Sequence, residues 1–296
     1  MKFKGIMPAL VTPLNEDESI NVKVLEQLME DMIQKGADGF YIAGATGEGL
    51  ALRPNERRVL AEESVRIAKG RVPCIIQVAS TDFSEAIRLA KHAEQCGADA
   101  ISATPPLFFG YGEDEVYNYY KALANAVHIP VMIYYNPSAG FSMNAKFAAR
   151  AFQVDNITAI KWTDFTYDQM MELKRLTQGE MNIINGPDEM LLMGLNAGAD
   201  GGIGTTYNFM FDIYRGIYDK YQAGDLAGAQ ALQGKSAQII GAAYAKYPCI
   251  PATKALMEAL GYNVGNATFP MSRLTDAQKA DLIADVKAAG LPLTSL

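Results

Sequence analysis

Residues 157–163 read ITAIKWT, and this segment decides how the rest of the chain is interpreted. Its apolar and β-branched residues are typical of a short buried strand, and Lys161 lies within it. Lysine is rarely buried, because removing its ammonium group from water is unfavourable. A lysine that gives up its proton there is an amine nucleophile, which attacks carbonyl carbons and forms Schiff bases. The alternative is a lysine at a strand end, with its ammonium group in solvent or paired with a carboxylate.

Seven further apolar segments alternate with helical patterns such as residues 55–69 and 84–96. Eight strands that alternate with helices predict a parallel sheet, and eight is the number that closes a (β/α)8 TIM barrel. A doubly wound open sheet is the competing architecture. The candidate strands are residues 5–13, 39–44, 73–79, 100–105, 130–136, 157–163, 182–186 and 201–206.

A short repeat and a helical C-terminal part complete this α/β organisation. Gly-Ala-Asp occurs at residues 36–38, 97–99 and 198–200, each time where a helix is expected to end and a strand to begin. Glycine suits the position after a helix, where φ is positive. Helical patterns follow the last strand at 209–221, 226–247, 253–261 and 276–289. We therefore predict a barrel over residues 1–224 and a C-terminal helical extension over residues 225–296.

Composition and charge narrow the class of protein. The 296 residues are 49% hydrophobic and 20% charged, as in ordinary globular proteins. The net charge of −7 and the absence of a Lys/Arg-rich block argue against nucleic acid as a partner. Three widely spaced cysteines without a CxxC motif indicate a reducing compartment. No apolar run is long enough for a membrane span, and the N-terminus is a poor signal peptide, so a cytoplasmic protein is expected.

The C-terminal ends of barrel strands are where catalytic residues are expected. The strand ends carry Thr, Tyr, Lys and Asp side chains, whereas the only two histidines, His92 and His128, fall in a helix and before the fifth strand. A histidine base and a histidine-ligated metal are therefore not expected, and no metal site is predicted. Tyrosine and lysine remain as the acid and base candidates, which suits Schiff-base chemistry.

Three strand-end motifs have both a functional and a structural interpretation. The glycine-rich residues 44–49 (GATGEG) could bring backbone N–H groups close to a carboxylate or phosphate, or form a plain βα turn. Tyr134 could shuttle protons opposite the lysine, or need only a hydrogen-bond partner. Asp188 could cap a helix and Glu189 favour its first turn, and either residue could at the same time bind substrate.

Together these motifs resemble the N-acetylneuraminate lyase / dihydrodipicolinate synthase family of class I, pyruvate-dependent aldolases. The resemblance covers essentially the whole chain and rests on GxTGE at 44–48, YxxP at 134–137, KxT at 161–163 and GGIG at 201–204. It implies an eight-stranded α/β barrel with a helical extension, usually assembled as a homotetramer. It also implies a Schiff base between a 2-oxo acid such as pyruvate and the lysine, with no metal and no organic cofactor.

The resemblance assigns roles to particular residues. Lys161 would form the Schiff base, and Tyr134 would be the acid and base, with Tyr135 as the fallback if the alignment slips by one. Thr46 and backbone N–H groups of its loop would hold the pyruvate carboxylate, with Ile203 contributing backbone contacts. Ala45 stands at a carboxylate-binding position where the family usually has Ser or Thr.

The sialic-acid lyase branch of the family is the most similar, through NGPDE at 185–189 and ADGGIGTTYN at 199–208. That similarity implies that Thr163, Gly186, Asp188, Glu189 and Thr205 bind the hydroxyls of a polyhydroxylated substrate. Dihydrodipicolinate synthases carry an arginine just after YxxP, and residues 137–141 (PSAGF) contain none.

Several departures from the family pattern leave alternatives open. Ala45 lacks the usual hydroxyl, and the loop after the fourth strand offers Phe108 and Phe109 where a tyrosine is usual, although Tyr111 lies close by. Residues 249–251 (CIP), near Lys254, replace a segment that more typically bears an aromatic residue. The leading hypothesis is a lyase that cleaves or forms N-acetylneuraminate or a similar 2-keto-3-deoxy sugar acid, giving pyruvate and an aldehyde. An aldolase or dehydratase for another such acid comes second, dihydrodipicolinate synthase is less favoured, and a non-catalytic 2-oxo-acid-binding barrel is least favoured.

Overall fold

The computed structural model describes residues 2–293 and contains eight parallel strands in one sheet. The order β1-β8-β7-β6-β5-β4-β3-β2 places the first strand beside the last. A bridge between Ala9 and Tyr41 and the bond from Leu10 N to Tyr41 O (3.0 Å) join β1 to β2 and close the barrel. The strands are β1 Gly5–Pro8, β2 Phe40–Ile42, β3 Cys74–Gln77, β4 Ala100–Ala103, β5 Val131–Tyr135, β6 Ile157–Trp162, β7 Asn182–Asn185 and β8 Gly201–Gly204.

Helices surround the barrel and continue past its last strand. The prediction of a (β/α)8 barrel with added C-terminal helices is confirmed, and the open-sheet alternative is wrong. The α-helices are α1 Val22–Gln34, α2 Pro54–Ala68, α3 Phe83–Gln95, α4 Glu113–Asn125, α5 Ala145–Ala151, α6 Tyr167–Leu176, α7 Leu191–Asn196, α8 Tyr207–Gln222, α9 Leu226–Tyr244, α10 Cys249–Ala259 and α11 Asp276–Ala288.

Buried side chains form two layers. Alternate strand residues point into the barrel, where Met7, Ile75 and Met132 pack with Tyr41 and Tyr134. The other strand residues pack against the helices in a larger cluster. This larger cluster includes Ile239, Leu256 and Leu282 of the C-terminal helices, so the extension shares the core that lies outside the barrel.

The predicted strands are too long at their C-terminal ends. The first was expected over residues 5–13 and ends at Pro8, and the eighth was expected to reach residue 206 and ends at Gly204. The apolar runs continue there because the chain remains buried as it turns into the βα loops, where isolated ladder bonds such as Ala9 N to Gly204 O (3.0 Å) replace continuous strand pairing. The turns that leave the sheet therefore carry the polar residues of the candidate site.

The Gly-Ala-Asp repeat has a structural explanation at the opposite end of the barrel. Gly36, Gly97 and Gly198 have φ values of +88°, +88° and +98°, as expected after a helix. The aspartate two residues after each glycine precedes a strand. Its carboxylate accepts a hydrogen bond from a backbone N–H of the strand before that one in the chain. These bonds are Ile6 N to Asp38 (2.7 Å), Cys74 N to Asp99 (2.8 Å) and Ile183 N to Asp200 (3.0 Å).

Candidate active site

Lys161 lies inside the barrel, near the C-terminal end of β6, and only 6% of its surface is exposed. Among residues 2–293, no carboxylate lies within 4.0 Å of its Nζ, so neither alternative for this lysine, a solvated head or an ion pair, is met. Its Nζ lies 4.4 Å from the ring centre of Tyr134 and 5.1 Å from that of Tyr41. Two electron-rich ring faces therefore surround the amine.

The register of the sheet places Tyr134 beside the lysine. Tyr134 on β5 pairs with Lys161 on β6, so the two side chains project from the same face of the sheet. The rings of Tyr134 and Tyr41 meet edge to face, with centres 5.8 Å apart. The Tyr41 hydroxyl donates to Ser102 Oγ (2.9 Å), which fixes that ring from below. Tyr134 is thus held in van der Waals range of the amine.

Tyr135 faces away from Lys161, as alternation along a strand requires. Its ring packs on Trp162 at 4.7 Å between centres, and its hydroxyl donates to Asp164 Oδ2 (3.0 Å). Burial and the carboxylate of Asp164 raise the pKa of Tyr135 to about 12. Tyr134 is therefore the tyrosine of β5 that could exchange protons with a substrate on the lysine.

The glycine-rich loop at 44–49 follows β2 and carries Thr46. The Thr46 hydroxyl is 2.7 Å from the Thr205 hydroxyl at the end of β8, and Thr12 donates to Gly47 O (2.6 Å). Ala45 is exposed in the same loop. The backbone N–H groups of residues 45–47 donate to no acceptor within residues 2–293. Free N–H groups in succession form an anion-binding concavity, which suits a carboxylate.

A cavity of about 520 Å³, lined by both polar and apolar side chains, opens above the lysine. Two predicted residues reach it because the ladder continues past the strand ends: Thr163 N donates to Tyr135 O and Gly186 N to Trp162 O, both at 2.8 Å. The sequence-predicted residues that line the cavity are Thr163, Gly186, Asp188, Glu189 and Thr205. Thr163 lies two residues beyond Lys161, just past the end of β6, so the lysine is one step deeper in the barrel.

Asp188 is buried, and its carboxylate does not cap a helix, which corrects the structural interpretation made from sequence. It begins a 3₁₀ turn, Asp188–Met190, and its Oδ2 accepts from Thr206 N and Thr206 Oγ1, both at 2.7 Å. Burial raises the pKa of Asp188 to about 6, although the Thr206 bonds and the charge of Lys161 oppose that shift. A Cβ at position 204 would clash with this carboxylate, so glycine is needed there.

The predicted residues thus fall into two connected groups. Lys161, Tyr134 and Ile203 lie in the barrel interior, and the hydroxyl- and carboxylate-bearing residues line the cavity above. Thr46 joins the groups through Thr205, while Ala45 does not line the cavity. His92 lies on α3 and His128 before β5, where both were expected.

Sequence reasoning missed Tyr244 in the cavity wall and one aromatic neighbour of the lysine. Tyr244 of α9 lines the cavity from the C-terminal extension, beside Cys249 of α10, which the sequence had already singled out as a departure from the family pattern. Reading strand ends could not find Tyr244, because its position depends on how the extension packs. Tyr41 could have been found, because its run FYI in β2 alternates in and out like the run that holds the lysine.

A model of the dihydrodipicolinate synthetase family matches residues 2–289 of the chain. The chain belongs to this family. It is 33% identical to the N-acetylneuraminate lyase of Rhizobium meliloti strain 1021 over 284 residues, covering 95% of this chain and 94% of that protein. It is 29% identical to the 4-hydroxy-tetrahydrodipicolinate synthase of Oceanobacillus iheyensis over 283 residues, covering 95% and 96%. Among solved structures, Proteus mirabilis N-acetylneuraminate lyase superposes with a TM-score of 0.93 at 30% identity, covering 98% of this chain and 100% of that one.

Family membership fixes the class of reaction but not the substrate. Members of the dihydrodipicolinate synthetase family are pyruvate-dependent class I lyases that work through a Schiff base and need no metal. The prediction of an enzyme of this class is confirmed. Within residues 2–293, no cluster of three or more His, Cys, Asp or Glu could hold a metal ion. None of the helices described here is both long and apolar enough to cross a membrane.

Proposed function

We propose that this protein is a Schiff-base lyase that cleaves or forms N-acetylneuraminate, or a similar 2-keto-3-deoxy sugar acid, giving pyruvate and an aldehyde. The observation that carries the proposal is the buried amine of Lys161. It has no carboxylate partner within residues 2–293, lies 4.4 Å from the Tyr134 ring centre, and sits beneath a cavity lined by hydroxyls and carboxylates.

The chemistry follows from these positions. Lys161 attacks the C2 ketone of the sugar acid, and loss of water gives an iminium that draws electrons from the neighbouring C3–C4 bond. Tyr134 takes the proton from the C4 hydroxyl as that bond breaks, which releases the aldehyde and leaves an enamine. Protonation of the enamine at C3 and hydrolysis of the iminium then free pyruvate and the amine. Synthesis is the same sequence in reverse.

The two ends of the substrate bind in different places. The carboxylate beside C2 binds the free N–H groups of residues 45–47 and the hydroxyl of Thr46. The polyhydroxylated tail extends into the cavity, where Asp188 and Glu189 accept hydrogen bonds from hydroxyls and Thr163 and Thr205 offer both donor and acceptor. The cavity volume of about 520 Å³ is within the ordinary range for small-molecule sites.

The lining of the cavity supports a sugar acid over a partner with a second carboxylate. The lining residues contributed by the described part of the chain include no lysine or arginine, and the short turn Pro137–Ala139 after β5 carries no basic side chain. A carboxylate at the far end of the substrate would therefore lie near Asp188 and Glu189 without a cation. The N-acetylneuraminate lyase similarity points the same way, although a synthase relative is almost as similar.

A second candidate, a dehydratase or aldolase for another 2-keto-3-deoxy sugar acid, is favoured by two features. Ala45 provides no hydroxyl that could pass a proton to or from the substrate, and Cys249 forms part of the cavity wall contributed by the extension. A cysteine is smaller than an aromatic residue, so the cavity wall at position 249 has a different shape, which favours a different substrate tail.

Product analysis separates these possibilities. The purified protein is incubated with N-acetylneuraminate and, separately, with 2-keto-3-deoxy hexonates, and the products are identified by mass spectrometry. We expect pyruvate and N-acetylmannosamine in equal amounts from N-acetylneuraminate. Loss of water without C–C cleavage would support the dehydratase instead, and no turnover of any of these acids would contradict the proposal.

We also expect a homotetramer. Phe108 and Phe109 in the loop after β4 are 90% and 66% exposed, and Phe109 stacks edge to face with Tyr111 at 6.1 Å. Large exposed aromatic side chains in one patch are typical of contact surfaces. Light scattering after size-exclusion chromatography measures the mass, and a monomer at micromolar concentration would contradict this expectation.

A further inference from the structure

A buried ion pair links the glycine-rich loop to the C-terminal extension. Glu48 is in the loop and Lys254 is on α10, and their side chains are 0% and 2% exposed. The distance from Lys254 Nζ to Glu48 Oε1 is 2.6 Å. Neither residue lines the cavity above Lys161, so neither is placed to touch a substrate bound there.

Each charged group of this pair has a second partner. Glu48 Oε2 accepts from Thr268 N (2.6 Å), and Lys254 Nζ donates to Asn266 O (2.8 Å). Burial lowers the pKa of Lys254, and the Glu48 carboxylate opposes that shift. Apolar side chains of the same size often give as much stability as a buried ion pair, because both charges must be removed from water. The pair therefore calls for an explanation other than stability, and its place in the loop supplies one.

Glu48 is two residues from Thr46 and has a left-handed backbone conformation, with φ at +59°. Glu48 N donates to Ala45 O and Gly49 N to Gly44 O, both at 3.1 Å, so the backbone that carries the Glu48 side chain is bonded to residues 44 and 45 of the same loop. A non-glycine residue in this conformation is strained, and surrounding contacts must hold it. The Lys254 and Thr268 contacts hold Glu48 from outside the loop.

Within residues 2–293, hydrogen bonds and ion pairs of side chains attach the loop to the rest of the molecule at three places. Thr12 fixes it to the end of β1, and Thr205 fixes it to the end of β8. Only the third, from Glu48 to Lys254 and Thr268, comes from the extension. Without it, the side of the loop that faces the extension would lose its charged anchor, and the N–H groups of residues 45–47 would no longer be fixed in one orientation.

We propose that Glu48 and Lys254 are positioning residues that hold the carboxylate-binding loop, so that the C-terminal extension completes the pyruvate site. This inference rests on the proposed function, because it assigns the loop to the substrate carboxylate. The charge pair acts through Thr46 and the backbone N–H groups beside it. Weakening the pair should therefore weaken binding of the 2-oxo acid more than it slows the later chemistry on Lys161.

The test measures reductive trapping of pyruvate on the full-length protein with borohydride as a function of pyruvate concentration. The variants are Glu48→Gln, which keeps the acceptor for Thr268 N, Lys254→Met, and the two combined. In each we expect the pyruvate concentration that gives half-maximal trapping to rise about tenfold, with the same yield at saturation. Glu258→Gln is the matched control. Glu258 lies on α10, as Lys254 does, and forms an exposed ion pair with Lys279 of α11 (2.6 Å), so its loss should leave the half-saturating pyruvate concentration unchanged.

The double variant separates positioning from plain stabilisation. It leaves no unpaired buried charge, so its melting temperature should recover toward that of the wild type. Its half-saturating pyruvate concentration should stay raised, because the charged contact between the loop and α10 is still missing. Should a single variant fail to fold, the double variant provides the same test. Half-saturation at the wild-type concentration in the folded variants would overturn the inference, whereas no adduct in the wild type would overturn the proposed function and the inference together.

Discussion

At the scale of single residues, the two adjacent tyrosines of β5 have different surroundings. Tyr134 faces Lys161, and the Tyr135 hydroxyl is bonded to Asp164 on the other side of the strand. We predict that Tyr134→Phe lowers turnover by about 100-fold or more, because a positioned acid and base contributes at least that much. Steady-state kinetics of pyruvate release measure the effect.

Tyr135→Phe is the control for that variant, since it removes a hydroxyl one residue away while leaving the ring stacked on Trp162. It should keep turnover within a few-fold of the wild type and lower stability instead, through the lost bond to Asp164. If Tyr135→Phe loses turnover and Tyr134→Phe does not, the assignment of the acid and base is reversed.

Asp188 should make stability depend on pH. Its pKa is raised from 3.8 to about 6 by burial, so between these values the folded state holds a proton that the unfolded state has released. The free energy of unfolding therefore falls as the pH rises through this window, by up to about 3 kcal/mol from this residue. Denaturant unfolding at pH 4, 5, 6 and 7 measures the change.

Asp188→Asn keeps the shape and cannot ionise, so its free energy of unfolding should lack this contribution. The free energy of unfolding of the wild type, relative to that of the variant, should fall as the pH rises from 4 to 7. A difference that stays constant, or moves the other way, would mean that the carboxylate is not held in a desolvating environment.

The site residues that could be predicted from the sequence were those whose side-chain chemistry conflicts with the neighbouring residues in the chain. Lys161 stood out because a charged side chain lies in an apolar strand run, and its burial is as predicted. Tyr41 did not stand out, because a tyrosine in a strand is unremarkable until its neighbours are known. The pair of Glu48 and Lys254 was equally hidden, because two residues that far apart in sequence meet only through the fold.

At the scale of elements, the aspartates of the Gly-Ala-Asp repeat tie neighbouring strands together. Asp99 is the clearest case: it accepts from Cys74 N, whereas Asp38 and Asp200 also form ion pairs, with Arg215 and Lys174. We predict that Asp99→Ala lowers the free energy of unfolding by about 1–3 kcal/mol, because it leaves a partly buried N–H unsatisfied. Chemical denaturation measures the loss.

Asp99→Asn is the matched control, since its side-chain oxygen can still accept from Cys74 N. It should keep most of the stability that Asp99→Ala loses. Equal losses in the two variants would show that the charge matters and the backbone bond does not.

Sequence patterns predicted the existence and order of these elements better than their ends. Glycine after a helix is a local backbone requirement, so helix ends were readable at residues 36, 97 and 198. Strand ends were not, because burial and strand pairing look alike in an apolar run such as residues 5–13. The aspartates were recognised as a repeat, but the strand N–H groups that they bind lie on a different element and could not be predicted.

At the scale of the whole molecule, the predicted boundary at residues 224 and 225 lies in the turn between α8 and α9, but the core crosses it. Ile239, Leu256 and Leu282 of the extension are fully buried in the same cluster as the outer face of the barrel. The extension also lines the cavity and anchors the glycine-rich loop. We therefore propose that residues 1–224 and 225–296 form one folding unit.

A fragment of residues 1–224 tests this proposal. It would expose the face of α8 that packs on α9 and leave Glu48 without Lys254. We predict that the full-length chain unfolds in one calorimetric transition and that the fragment shows no cooperative transition. A fragment that melts cooperatively near the full-length midpoint would mean that the barrel is an independent domain.

Reductive trapping is the most direct test of whether Lys161 forms a Schiff base with a 2-oxo acid. The protein is incubated with pyruvate and borohydride, digested, and mapped by mass spectrometry, with Lys161→Ala treated in parallel. We expect one adduct per chain, on Lys161, and none in the variant. Absence of an adduct in the wild type, an adduct on Lys254, which is also buried, or trapping that persists in Lys161→Ala would contradict this expectation.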